Sequence, residues 1–399
     1  MSDDYLSPPD LERADVLVVF GLSGDLARKM LLPALYRLTE SGRLSVPVIG
    51  VAAVDWDDDT LREHAREAVA AAGTDIDEAV FARFAQGLSL VTGDFTDGAT
   101  FARLREAVAG FAFVTYYMAI PPSLFTGVAA SLAGAGLNRR SRLVVEKPFG
   151  HDLASARKLQ DELSSHFDDA HLLRVDHFLG NRAVESLEKW RALHATRTLD
   201  PADTVRGQYD GYRDVEGVGP DSRTETYVAT RMFVDNWRWA GVPFYLRSGK
   251  ALAVSATEVV VELRKPPLEL FGGEDTQTPP NIIRFRVDGD TGIRADLILR
   301  KPDSTTGPMA VPIGVDFAQV LGRQELPYEN ILYGAVVGDP ECFAFFPTVL
   351  ECWRIVEPVL DPVEPPLAYA PGSWGPEAAD RLPGLRNWHR LGHRLFDEG

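Results

Sequence analysis

The sequence predicts an α/β protein: an N-terminal Rossmann-like, doubly wound parallel sheet followed by a C-terminal α+β domain with a large, mostly antiparallel sheet. Three observations predict it. Short β-branched runs alternate with helical patterns over the first part of the chain, as crossover connections between parallel strands require. The first such run, Val16 to Phe20, leads into the glycine-spaced turn Gly21-Leu22-Ser23-Gly24-Asp25. Beyond about His177 the strand-like runs follow one another through Gly, Pro and Asp turns with little helix between them, the pattern of antiparallel pairing.

The parallel strands are expected at Val16 to Phe20, Val48 to Ala53, Leu88 to Val91, Phe113 to Ala119, Arg142 to Glu146 and Leu172 to Val175. Helical periodicity fills the gaps at Thr60 to Ala72, Gly98 to Ala109, Ser123 to Ala135 and Leu153 to Phe167. Pro33 falls inside the helix after the first turn and should kink it or begin a second piece. The later strands are expected at Thr204 to Tyr209, Glu225 to Trp237, Thr257 to Leu263, Asn281 to Val287 and Ile293 to Leu299. Helices follow at Tyr328 to Val337 and Pro347 to Val356, and a Pro- and Gly-rich tail wraps the surface. The expected domains are 1–175, binding a dinucleotide, and 176–399, serving substrate and oligomerisation.

Composition narrows the function. At 399 residues the chain is too long for one ordinary core. No stretch approaches the roughly 20 apolar residues that span a bilayer, and the acidic start lacks a signal pattern, so no membrane association and a cytoplasmic location are expected. Two cysteines without a CxxC pair suggest a reducing compartment and no metal site; both read as core residues. The net charge of −17 and the absence of a basic run exclude a phosphate-tracking nucleic-acid partner. A small anionic substrate remains compatible, because a few local cations can hold it.

Gly21, Gly24 and Ala27 stand at three-residue steps after the first strand. Such spacing allows a tight turn, close approach of a pyrophosphate and close helix packing, with helix amides as donors. Gly21, Ser23, Gly24, Asp25 and Leu26 are therefore candidate cofactor-binding residues, as are Met118, Ala119 and Pro122 after the fourth strand. Any strand-to-helix turn can use glycines; the position at the first βα junction favours the cofactor. Cofactor choice is read after the second strand, where Ala53-Val54-Asp55 offers no arginine for a 2′-phosphate. Asp55 can accept from a ribose hydroxyl, or alternatively cap the next helix. NAD or NADP is expected, with NAD favoured.

Seven segments then carry a resemblance. Gly21 to Ala27, Glu146-Lys-Pro-Phe-Gly150, Arg174-Val-Asp-His-Phe-Leu-Gly180, Val205-Arg-Gly-Gln-Tyr209, Asn236-Trp-Arg-Trp-Ala-Gly-Val-Pro243, Phe244-Tyr-Leu-Arg-Ser-Gly-Lys250 and Gly372-Ser-Trp-Gly-Pro376 resemble, in order, motifs of the glucose-6-phosphate dehydrogenases. The resemblance implies an NAD(P)-dependent dehydrogenase acting on a C–OH group, associating as a homodimer or higher homo-oligomer. The chain also departs from the family. Asn181 replaces a lysine and Phe178 a tyrosine, Val254 and Ser255 stand where a further lysine is usual, and Ala53 replaces the cofactor arginine. Only Asn181 to Arg206 separate two motifs that a far longer stretch separates in the family, and the segment carrying the usual histidine base is missing.

The expected chemistry gathers at two strand ends. Lys147 follows the fifth strand and Asp176-His177 the sixth, both at the carboxyl edge of the sheet. The resemblance implies that Lys147 contacts substrate and cofactor and that His177 binds substrate. With the usual histidine absent, Lys147 is the first candidate for proton transfer, and His177 with Asp176 the second. Phe178, Asn181 and Lys250 complete the expected substrate side; a solvated surface lysine is the plain alternative for Lys250. Trp237, Trp239 and Phe244 read as packing residues. The expected substrate is a pyranose, sugar phosphate or related small molecule other than glucose 6-phosphate. A ketone or imine reductase using Lys147 as proton donor, and a non-catalytic nucleotide-binding relative, are the competing readings.

Overall fold

A computed structural model describes residues 12–176, 186–265, 278–287, 290–299, 309–322, 327–360, 364–384, 387–392 and 394–395. Two compact units emerge: Met1–Thr198 with Val234–Arg238 and Glu325–Leu360, and Leu199–Phe233 with Trp239–Gln324 and Asp361–Gly399. A division at 175/176 is what sequence rhythm suggests. In the folded chain the first unit runs on to Thr198 and regains later segments, because contacts far apart in sequence tie them to it.

The first unit is a six-stranded parallel sheet of β1 (Val16–Phe20), β2 (Val48–Ala52), β3 (Leu88–Thr92), β4 (Val114–Met118), β5 (Ser141–Val145) and β6 (Leu172–Arg174). Its order is β3-β2-β1-β4-β5-β6. Helices α1 (Leu32–Glu40), α2 (Asp58–Ala71), α3 (Glu78–Gln86), α4 (Gly98–Val108), α5 (Phe125–Gly134) and α6 (Leu153–Ser164) supply the crossovers. Further helices are α7 (Ser186–His194), α8 (Pro327–Val337) and α9 (Phe346–Val356). β1 is buried along its whole length, and its residues alternate between two cores. Leu17 and Val19 join the cluster under α1, α2, α3 and α8, while Val16, Val18 and Phe20 join the one under α4, α5, α6 and α9. Burial on both faces is why this strand reads as an unbroken apolar run.

Local sequence sets the helix ends. Asp57, Asp77, Asp97 and Asp152 each cap a helix start through the side chain, satisfying amides that have no intrahelical partner. Ala27–Leu31 is a π-helical stretch that gives way to α1 at Leu32, with Pro33 in the first turn. Proline cannot donate into the ladder, so the break expected there takes the form of a wider turn. Arg142 on β5 is fully buried; its guanidinium donates to Ala335 O at 2.7 Å, in the last turn of α8, and burial pushes it down to about 10. Cation and helix C-terminus thus satisfy each other away from water.

The second unit holds two four-stranded sheets. β7 (Thr204–Tyr209), β8 (Tyr227–Phe233) and β9 (Pro243–Gly249) pair antiparallel, with β14 (Leu367–Tyr369) parallel to β7. The other sheet is β10 (Glu258–Glu262), β11 (Ile282–Arg286), β12 (Gly292–Leu299) and β13 (Met309–Asp316), antiparallel throughout. Register puts Val259, Phe285, Ile293 and Val315 in one row and Val261, Ile283, Ala295 and Ile313 in the next. The opposite face is ionic and buried: Glu258 accepts from Arg284 at 2.8 Å and Arg286 at 3.1 Å, and Asp296 from Arg294 at 2.7 Å. Of the aromatic residues expected to pack, Trp239 meets Phe244 edge-on at 5.2 Å. Trp237 instead stands fully exposed in the turn after β8. Among the described residues no helix is long and apolar enough to cross a membrane, and no group of three or more His, Cys, Asp or Glu converges as a metal site.

Candidate active site

Strand order reverses between β1 and β4, and a crevice opens beyond the carboxyl ends of such a pair. Gly21 closes β1 there with φ +82°, its amide donating to Val51 O at 2.8 Å. A Cβ at Gly21 would lie 2.3 Å from Ala119 O, just past β4, so only glycine lets the two strand ends approach. A Cβ at Gly24 would meet Gly21 O at 3.2 Å. The helical run starts at Asp25 and turns its first amides toward the crevice. Asp25 itself is exposed and pairs with Lys29 at 2.8 Å; that hydrogen bond and charge hold its carboxyl below the ordinary range. Leu26 packs against the core, Met118 is buried at the end of β4, and Pro122 opens a short turn on the same edge. A narrow turn with glycine at Gly21 and Gly24, feeding a helix start at the switch point, fits the pyrophosphate of a dinucleotide.

Asp55 is exposed in the loop after β2. It does not cap α2: Asp57 does, accepting from Thr60 N at 2.8 Å. The purely structural alternative for Asp55 therefore falls away, because the capping position belongs to its neighbour two residues on.

The E-K-P-F-G turn at the end of β5 is fixed from several sides. Glu146 is buried and its Oε1 accepts from Tyr117 at 2.5 Å and from Tyr328 on α8 at 3.1 Å. Lys147-Pro148 is a cis peptide bond. Phe149 is buried, and its carbonyl accepts the Trp353 indole N–H at 2.8 Å. Gly150, at φ +75°, lies where a Cβ would come 2.5 Å from Ala156 N, so α6 starts hard against it. Lys147 is left half exposed, with Nζ 3.6 Å from the Asp176 carboxylate. The turn thus brings together two of the expected residues from separate strands.

His177, Phe178 and Asn181 lie outside the described residues. Lys250 stands at the end of β9 in the second unit; its amide donates to Thr226 O and its carbonyl accepts from the Tyr369 hydroxyl, both at 2.8 Å. Several residues around the turn carry no sequence signal of their own. Tyr117 and Tyr328 read as ordinary core aromatics, and Trp353 is one apolar position on a helix; only the fold shows that each spends its polar atom on this turn. The same helix, α9, carries Glu351, which accepts from His194 on α7 at 3.0 Å and from Arg354 at 2.6 Å. Burial works against ionisation of Glu351, but the hydrogen bonds from His194 and Arg354 win and hold its carboxyl below the usual range. Cys352, which the sequence assigns to the core, instead has part of its surface open. Crowding by surrounding protein, then the charges of Asp176 and Glu351, still push its thiol up to about 11.

Two family models match the chain. Residues 18–186 match the glucose-6-phosphate dehydrogenase NAD binding domain, and residues 180–389 match the glucose-6-phosphate dehydrogenase C-terminal domain. Glucose-6-phosphate 1-dehydrogenase 1 of Mycobacterium tuberculosis is 37% identical over 451 aligned positions, covering 94% of this chain and 96% of the relative. Because 451 positions exceed the 399 residues here, at least 52 of them have no residue in this chain. Glucose-6-phosphate 1-dehydrogenase of Dickeya dadantii is 29% identical over 465 positions, covering 91% of this chain and 95% of the relative. A crystal structure of glucose-6-phosphate 1-dehydrogenase from Mycobacterium avium superposes with a TM-score of 0.84 at 38% identity, covering 96% of this chain and 99% of that one.

Proposed function

Because the chain belongs to the glucose-6-phosphate dehydrogenase family and is an NAD(P)-dependent oxidoreductase resembling its members, we propose that it moves a hydride between a C–OH carbon of a pyranose or sugar phosphate and the nicotinamide. When bound, the dinucleotide supplies the hydride acceptor. Gly21, Ser23, Gly24 and the helix start after them hold its pyrophosphate, with Met118, Ala119 and Pro122 on the β4 side of the crevice. Lys147 holds the oxygen on the reacting carbon, and Asp176 positions that ammonium by the 3.6 Å pairing. An oriented donor there offsets the charge that builds on oxygen as the C–H bond breaks. The pairing of Lys147 with Asp176 at the carboxyl edge is the observation that carries this reading.

NAD is the proposed preferred cofactor. Ala53 offers no cation to a 2′-phosphate, and Asp55, free of a capping role, faces solvent after β2. A substrate other than glucose 6-phosphate is supported by Phe178, Asn181, Val254 and Ser255, and by the at least 52 positions of the alignment with the mycobacterial relative at which this chain has no residue. Reduced-nicotinamide absorbance with a panel of aldoses and sugar phosphates tests both points. Lys147→Ala should abolish turnover while cofactor affinity stays within a few-fold. Turnover retained in that variant removes Lys147 from the chemistry, and efficient oxidation of glucose 6-phosphate removes the altered-substrate reading.

We also propose that the protein self-associates through β10–β13. The apolar face of that sheet leaves Val259, Ile313 and Val315 between 44% and 54% exposed, while its charged face is the buried one. That is the reverse of a sheet meant for water, and an apolar face of this kind marks an interface. Light scattering should give a homodimer or larger species, and Ile313→Glu should dissociate it. Free cysteines suit a reducing, cytoplasmic setting.

A further inference from the structure

Lys250 ends β9 as an exposed side chain whose ammonium meets no carboxylate among the described residues. Most such lysines are simply solvated. This one differs in its backbone, which is fastened by a segment 119 residues further along the chain. We infer that the C-terminal strap 367–376 positions Lys250 for substrate, with Tyr369 as the positioning residue. The assignment rests on the dehydrogenase reading above and on Lys250 standing on the substrate side.

The contacts lie within the second unit. Lys250 N donates to Thr226 O at 2.8 Å, and Lys250 O accepts from the Tyr369 hydroxyl at 2.8 Å. A proton on Thr226 Oγ1, 3.0 Å from the phenol oxygen, serves that oxygen and leaves the phenol proton to the carbonyl. Tyr369 is buried, which raises its phenol above the ordinary value and keeps it a donor. The next residues are held by the same strap: Ala251 O accepts from Gly372 N at 2.8 Å, and Ala253 N donates to Ser373 O at 2.9 Å.

Between these bonds the chain is strained. Ala251 has φ +51°. A residue with a Cβ rarely adopts that left-handed conformation, which persists only where its surroundings over-determine it. The strap supplies those surroundings, and the turn at Ala251 sets how the chain leaves β9 directly after Lys250. The strap is fastened on the other side of the lysine too. The Arg247 guanidinium lies between the rings of Trp374 and Trp388, at 4.6 and 4.7 Å. A Cβ at Gly375 would stand 2.3 Å from the Tyr227 ring, so the strap lies directly on β8. A strained turn, a buried phenol and a stacked arginine are more than a solvated lysine needs. Fixing the backbone beneath a flexible cation lowers the entropy lost when its ammonium engages a sugar hydroxyl or phosphate.

The test is a double-mutant cycle read as KM against kcat, with the sugar or sugar phosphate of the panel that the wild-type protein oxidises fastest. Lys250→Ala should raise KM about tenfold or more, the loss of one bond from a charged donor, with kcat held within about twofold. Tyr369→Phe should raise KM about fivefold, again with kcat held. In the Lys250→Ala protein, the same Tyr369→Phe change should move KM by less than about twofold, because the lysine through which it acts is gone. Arg247→Lys keeps the charge but loses the flat stack. It should repeat the split, so the cycle stands on two independent variants. Amide hydrogen exchange of the intact protein reads the strap without turnover: the Lys250 and Ala253 amides should exchange about tenfold faster in Tyr369→Phe. Unchanged KM in Lys250→Ala, additive KM effects in the double variant, or unchanged exchange overturns the positioning role and leaves the dehydrogenase reading standing. Absence of turnover by the wild-type protein, with either nicotinamide across the sugar panel, overturns both.

Discussion

The Tyr117 hydroxyl donates to the Glu146 carboxylate at 2.5 Å inside the first unit, joining the end of β4 to the residue just before Lys147. Both residues are buried, so the bond is made in a medium where an unpaired carboxylate is expensive. Tyr328 adds a second donor to the same oxygen at 3.1 Å. Burial and the neighbouring carboxylate raise both phenols well above their ordinary value, which keeps them protonated as donors.

This arrangement makes Tyr117→Phe informative. Losing a hydrogen bond to a buried charge costs about 1.5–3 kcal/mol. Urea unfolding should show that loss, and Tyr328→Phe, with the longer bond, should lose less. Because Glu146 sets the turn that presents Lys147, kcat should fall in Tyr117→Phe while cofactor affinity holds. Equal stability of the two phenylalanine variants would contradict the ranking.

Gly21→Ala should damage cofactor binding more than Gly24→Ala. At φ +82° a side chain costs about 1–2 kcal/mol in backbone strain alone, and the new methyl would sit 2.3 Å from Ala119 O. Relief requires moving the ends of β1 and β4 apart at the crevice. At Gly24 the nearest atom is 3.2 Å away and φ is not left-handed. Titration calorimetry with NAD should give a much larger loss for Gly21→Ala; a reversed order would remove the switch-point turn from the cofactor site.

Ala53→Arg should move the cofactor preference toward NADP. A guanidinium at the end of β2 can make charge-assisted bonds to a 2′-phosphate. A tenfold change in the NAD:NADP affinity ratio corresponds to about 1.4 kcal/mol. The wild-type chain should bind NAD more tightly. Calorimetry that ranks NADP first in the wild type would refute the role given to Asp55.

Glu351 should make the docking of α7 on α9 pH-dependent. Its carboxyl lies below the ordinary range in the folded chain, so its stabilisation is complete above the unfolded value. It fades as pH falls through the lower, folded value. Glu351→Gln should therefore melt below the wild type at neutral pH, by an amount corresponding to about 1 kcal/mol given the exposed histidine partner. The gap should narrow as pH falls below the ordinary carboxylate value and the folded carboxyl takes up its proton. A gap of constant size across that window would show that the ionised carboxylate is not what holds the helices together.

The sequence by itself determined the parallel sheet, its helices and the phosphate turn. These follow from properties confined to a few neighbouring residues: unbroken apolar runs where both faces of a strand are buried, helix periodicity, and glycines where a backbone must turn sharply. It also placed Lys147 and Asp176 at strand ends, because parallel strands all point one way and their carboxyl ends share an edge. What only the tertiary structure decided depends on partners distant in the chain. Asp57 and not Asp55 takes the cap, because capping needs a particular offset from the first helical amide. Trp353 and Tyr328 hold the lysine turn, and Glu351 meets His194, through contacts that span more than a hundred residues of sequence. Side-chain hydrogen bonds of this reach leave no period in a single sequence, so they come into view only once α8 and α9 have packed back on the sheet.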